Sequence, residues 1–133
     1  MEDVRPRRIL WTWLPIVAYA GALLALSSRP ANQLPPVLFP GADKLVHMAL
    51  YSLLGGLAAR AAVRARLERR SAAVLLVACI AFGLFDEWYQ HFIPGRSSSL
   101  LDVAADAIGA CAGFFLVLRY HRSRHVPRHS PLR

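Results

Sequence analysis

The sequence is poor in cysteine, in lysine and in acids. Cys79 and Cys111 are its two cysteines. That count supports no disulfide framework, and their separation is not that of a metal-binding pair. Both fall inside apolar stretches, where a thiol behaves as a small core side chain. No HExxH or comparable metalloenzyme signature occurs, so the expected metal ligands are none and no cofactor is expected. No internal repeat or paired broken helix occurs either, which argues against a repeat-built transporter. Lysine occurs once, as Lys44, and there are eight acids against sixteen Lys plus Arg, for a net charge of +8. Such an excess invites a nucleic-acid reading. No nucleic-acid motif accompanies it, and nearly all of it stands beside the ends of apolar segments, where membrane topology accounts for it. No nucleic-acid partner is expected.

What the chain has in abundance is apolar sequence. It makes up 56% of 133 residues, enough for one domain. It is segregated from the charges into four long stretches, and a span needs about 20 mostly apolar residues. The stretches predict helices over about 9–26, 42–63, 71–93 and 100–120, joined by a proline-rich connection, a short basic one and a Pro-Gly-Arg-Ser turn at Pro94–Ser97. The expected fold is therefore all-α, a four-helix transmembrane bundle over residues 1–120. The basic, His- and Pro-rich stretch 121–133 is expected to be a disordered tail.

Thirteen Lys/Arg lie before the first helix, around the 2–3 connection or in the tail, against only Arg29, Lys44 and Arg96 at the opposite ends. The positive-inside rule then puts both termini in the cytoplasm and the 1–2 and 3–4 connections outside. The expected location is the cytoplasmic (inner) membrane, with several spans and membrane lipids as surroundings. The first helix has the basic start of a signal peptide, but its apolar core is long for one and further spans follow, so it is read as retained.

The acids are as lopsided as the bases. Asp43, Asp86, Glu87, Asp102 and Asp106 all fall at the outward ends of helices, with Lys44, His47, Gln90, His91 and Arg96. At a rise of about 1.5 Å per residue, Asp86, Glu87 and Asp106 lie roughly 10 Å below the outer ends, with His47 and Tyr51 on the second helix within reach. An ionisable side chain inside a span costs about 2.5–3.5 kcal/mol at the bilayer centre and less near the ends, so these groups should face one another or water. Asp43, His47 and Tyr51 repeat every four residues, as do Asp102 and Asp106 with Gly109 and Gly113 beyond, and such offsets share one side of a helix. Asp86 and Glu87 are adjacent and so point about 100° apart, toward different neighbours.

Simpler roles account for several of these residues. Asp43 suits a helix start, and Ser99 with Asp102 has capping-box spacing. His91, Trp88 and Tyr89 suit the membrane interface. Glu87 and Asp106 are too deep to be caps, and a buried network with Arg96, Lys44 and His47 is expected around them. Ser52, Gly56 and Ala59 on helix 2, with Gly109 and Gly113 on helix 4, are small enough to allow close helix approach.

Asp43-Lys44-Leu45-Val46-His47, Tyr51, Asp86-Glu87-Trp88-Tyr89-Gln90, Pro94-Gly95-Arg96-Ser97, and Asp102, Asp106 and Gly109 occur in an order and spacing that resembles the VanZ-like family. The resemblance implies a small bacterial integral membrane protein. The family's namesake is associated with resistance to the glycopeptide teicoplanin, whereas members are widespread outside resistance clusters. Many members carry Asn where this chain has Asp106, so the local charge balance differs here.

Three functions compete at the sequence level. In the first, Lys44 and Arg96 bind an anionic envelope lipid or cell-wall precursor, within a site formed with Asp43, His47, Tyr51, Glu87, Gln90, Asp102 and Asp106. In the second, the polar network only specifies helix packing for structure or assembly. In the third, a membrane enzyme acts on a lipid headgroup. Its catalytic candidates are His47 or Glu87 as general base, with Asp86, Asp106 and a divalent metal assisting.

Overall fold

The structure, a computed structural model, describes residues 4–36 and 38–124. Four helices follow one another: α1 (Val4–Ser27), α2 (Ala42–Arg64), α3 (Arg69–Gln90) and α4 (Leu100–Arg124), with a 3-10 turn at Ala31–Gln33 before α2. No strand occurs among the described residues. The fold is an all-α four-helix bundle, and every helix is long and apolar enough to cross a membrane. Many of the large exposed side chains are apolar, among them Val17, Val74, Val77, Leu84, Ile108 and Leu116. Such a belt suits hydrocarbon rather than water.

Two helix ends depart from expectation for local reasons. α3 stops at Gln90 instead of running on to Ile93. Phe92 and Ile93 tighten into turns on the Tyr89 and Gln90 carbonyls, Pro94 disfavours helical backbone at Ile93, and Gly95 takes a left-handed φ of 73°. α4 continues beyond Tyr120 to Arg124, so the first four residues of the expected disordered tail are helical. Basic residues in that last turn suit the negative end of the helix dipole, and the Arg124 guanidinium lies over the Tyr120 ring at 4.6 Å. The rest of the tail lies outside the described residues.

The bundle is held chiefly by α2 against α4. A Cβ added at Gly109 would collide with the Met48 carbonyl, and one at Gly113 with the Ser52 carbonyl. The small stripe on α4 therefore lets the two backbones touch. On α2 the close approach falls at Gly55, beneath the Ala110 carbonyl, and not at Gly56, where an added Cβ would meet the Val117 side chain at an ordinary 3.5 Å. Leu54, Ala58, Ala59, Cys79, Ala110 and Phe114 fill the interior around this seam. Cys79 is buried and Cys111 half-buried, and neither is in a disulfide.

Candidate functional site

The helix order brings the end of α1, the start of α2, the end of α3 and the start of α4 to one end of the bundle. The two connections there touch: the Ala31 N–H donates to the Pro94 carbonyl at 3.3 Å. The acids of α3 and α4 sit just inside this end. Asp86, Glu87, Asp102 and Asp106 are all nearly fully buried, at 1–3% exposure. Packing has thus removed four carboxylates from solvent, and what compensates each one differs.

Asp86 is compensated by neutral donors. Its Oδ2 accepts from the Ser27 hydroxyl at 2.7 Å, the Tyr51 hydroxyl at 3.1 Å and the Gln90 amide at 3.3 Å. These donors come from α1, α2 and α3, so a single carboxylate oxygen joins three helices. Asp102 is compensated by a cation. Lys44 Nζ lies 2.6 Å from Asp102 Oδ1 and 2.6 Å from Asp43 Oδ2. Ser99 donates to Asp102 Oδ2 at 2.6 Å and accepts from the Asp102 N–H at 3.2 Å, which caps α4. The Ser99 N–H does not complete a box with Asp102; it points across to Glu87 Oε2, 3.4 Å away.

Glu87 and Asp106 share one weak base. His47 Nδ1 lies 3.0 Å from Asp106 Oδ1 and 3.4 Å from Glu87 Oε1. Among the described residues Glu87 Oε1 and Asp106 Oδ2 accept no hydrogen bond, and neither does Asp86 Oδ1. The expected shared depth of α3 and α4 carboxylates is therefore realised, and Asp86 and Glu87 do face different neighbours. The expected network is corrected in its cations, because neither Lys44 nor Arg96 reaches Glu87 or Asp106. Lys44, on the first turn of α2, is a turn away from His47 and is taken by Asp43 and Asp102. Arg96 follows the Pro94–Gly95 turn and lies at the rim, where its Nη2 donates to Gln90 Oε1 at 2.6 Å. Among the described residues Arg96 pairs with no carboxylate.

Ser27 belongs to this cluster although its sequence offered little sign of it. The available signal was its position: the last residue of an apolar helix, at the end where the acids gather. His91 and Trp88 are exposed, in keeping with an interfacial place. The Tyr89 hydroxyl reaches Ser28 Oγ at 3.1 Å.

A family model described as VanZ/LLP1 matches residues 7–121, nearly the whole described chain. The chain belongs to the VanZ/LLP1 family. Membership and four apolar helices together make it a multi-pass membrane protein. The matched span contains every member of the cluster, from Ser27 to Asp106, so the site lies within the VanZ/LLP1 domain itself. No curated protein and no solved structure matches the chain.

Proposed function

We propose that this VanZ/LLP1 protein sits in the bacterial cytoplasmic membrane with both termini inside and binds an anionic lipid headgroup at its outward end. Arg96 carries the reading. It is a half-buried guanidinium that uses one donor on Gln90 and, among the described residues, pairs with no carboxylate, set on the rim of a bundle end. A planar fork with free N–H donors matches a phosphate or carboxylate oxygen pair. Lys44 contributes less than its charge suggests, since Asp43 and Asp102 already neutralise it. The orientation rests on the Lys/Arg bias of the connections.

The test is native mass spectrometry of the full chain, released from detergent in the presence of short-chain phosphatidic acid or phosphatidylcholine. A charge-assisted contact contributes about 1.5–3 kcal/mol, so Arg96→Glu should lower phosphatidic acid occupancy by roughly tenfold or more. Arg122→Glu, at the far end of α4, should change it little. Full occupancy in the Arg96→Glu protein would sink the proposal.

One observation favours a second reading, in which the network is architectural. Asp86 ties α1, α2 and α3 through neutral donors and is shut away from solvent. If architecture were the whole role, every substitution in the cluster would lose function only in proportion to stability. An Arg96→Gln protein with wild-type melting and no lipid preference would separate the two.

A further inference from the structure

We propose that His47, Glu87 and Asp106 form a binding site for one divalent transition-metal ion. One ligand comes from each of α2, α3 and α4. Their ligand atoms, an imidazole nitrogen and two carboxylate oxygens, all lie within 4.8 Å of one another. Metal–nitrogen and metal–oxygen bonds to such ligands are about 2.0–2.2 Å, so donors on one ion stand about 3–4 Å apart. His47 Nδ1 is already 3.0 Å from Asp106 Oδ1 and 3.4 Å from Glu87 Oε1.

The second observation is what these carboxylates lack. The side chains of Glu87 and Asp106 are 4% and 1% exposed, yet Glu87 Oε1 and Asp106 Oδ2 have no hydrogen-bond donor among the described residues. Buried carboxylate oxygens are normally hydrogen-bonded, paired or coordinated to a metal. None of the three cations of this bundle end supplies the missing partner: Lys44 is held by Asp43 and Asp102, Arg96 by Gln90, and Arg29 is exposed and in no ion pair among the described residues. A single imidazole cannot balance two carboxylates, whereas a doubly charged ion does. Asp86 also has one oxygen, Oδ1, without a donor among the described residues, but it stands outside the group gathered on His47 and its Oδ2 is directed to Ser27, Tyr51 and Gln90.

The donor set also selects the ion. Mixed imidazole and carboxylate ligation suits zinc, manganese or iron, whereas magnesium and calcium prefer all-oxygen shells. His47 is the most open of the three ligands, at 16% side-chain exposure, so the ion enters beside it and water completes the coordination there. The site does not use Arg96, and it stands whether or not a lipid headgroup binds at the rim.

The experiment uses the full chain carrying His121→Ala, His125→Ala and His129→Ala, which removes the tail imidazoles as competing ligands. The protein is purified in dodecyl maltoside without phosphate, stripped with chelator, loaded with Mn2+ and desalted. Metal analysis should find one manganese per chain, not displaced by about a hundredfold excess of Mg2+. Pulsed EPR should show coupling to one coordinated imidazole nitrogen, retained in His91→Asn and lost in His47→Asn. Glu87→Gln and Asp106→Asn should each abolish stoichiometric binding, and Arg96→Gln should leave it intact. Absence of bound manganese in the unsubstituted site would overturn the proposal, as would bound manganese without nitrogen coupling. So would full occupancy in both carboxamide variants. Where a carboxamide variant loses its helical circular dichroism, the nitrogen coupling of the His91→Asn protein decides. Loss of lipid binding in Arg96→Glu with manganese retained would leave this site standing; the reverse pattern would leave only the rim.

Discussion

Gly109 is where packing and the polar cluster meet, and replacing it with Ala tests both. The residue lies three positions after Asp106 on α4, and the carbonyl it would strike belongs to Met48, next to His47 on α2. An ordinary Cβ contact needs 3.4 Å or more, and the built Cβ falls well inside that distance of a backbone atom that cannot rotate away. The two helices must part locally by on the order of 1 Å, and a gap of about 0.5–1 Å forfeits a quarter to a half of each contact it opens. Overpacking of this kind costs about 1–3 kcal/mol. Removing a helical glycine gives back up to about 1 kcal/mol. Gly109→Ala should therefore destabilise the bundle by about 1–2 kcal/mol net.

Two controls invert the sign. Gly56→Ala meets only an ordinary contact and Gly21→Ala meets nothing within 4 Å. Both should be neutral or stabilising by up to about 1 kcal/mol. The assay is equilibrium unfolding in mixed detergent–SDS micelles, followed by far-UV circular dichroism. If Gly109→Ala proved as stable as Gly56→Ala, the close α2–α4 seam, and with it the approach of His47 to Asp106, would be wrong.

Lys44→Met strips the cation from buried Asp102 and should cost roughly 1–3 kcal/mol, below the full value for a buried pair because Lys44 is 28% exposed and Ser99 still donates to Asp102. Lys44→Met with Asp102→Asn should recover most of that loss in the same unfolding assay. Tyr51→Phe removes one of the donors to Asp86 Oδ2 and should cost about 1 kcal/mol; an unchanged midpoint would mean that the bond does not form. In a Cys79→Ala, Cys111→Ala background, Arg96→Cys should react with an impermeant maleimide added outside intact cells, and Arg66→Cys should not. The opposite labelling would reverse the orientation.

Much of the architecture was legible because it depends on few variables. Apolar run length fixes the helices, and rise per residue fixes depth, so the levelling of Glu87, Asp106 and His47 followed from counting. The angle of about 100° between neighbours likewise separated Asp86 from Glu87. What counting could not give was partner choice. Lys44 and His47 stand three apart on one helix, and which of them reaches Asp106 depends on where α2 crosses α4. That crossing is set by the contact at Gly55, one residue from the glycine that spacing suggested. Arg96 lies in a turn whose course is set by Gly95 and by its contact with Ala31, which no periodicity encodes. Ser27 was hidden for a different reason, because a lone hydroxyl at the end of an apolar helix carries no pattern at all.

The contrast between the adjacent acids Asp86 and Glu87 bears on what the cluster is for. Both are buried to the same degree, so both incurred the same kind of desolvation cost on folding. Around Asp86 Oδ2 the bundle supplies three fixed, neutral donors, an arrangement that holds helices together, while its Oδ1 has no donor among the described residues. Around Glu87 and Asp106 it supplies one backbone N–H at the long distance of 3.4 Å and one imidazole between two carboxylates. Three helices converge there on groups that remain under-compensated, although the helices already carry hydroxyl and amide side chains that hydrogen-bond one oxygen of the neighbouring acid. If packing specificity were the sole requirement, the same solution would serve at both positions. Two carboxylates gathered on one imidazole, each with an oxygen that lacks a donor among the described residues, are the arrangement expected of a site that completes itself with a ligand, and Arg96 lies at the same end of the bundle.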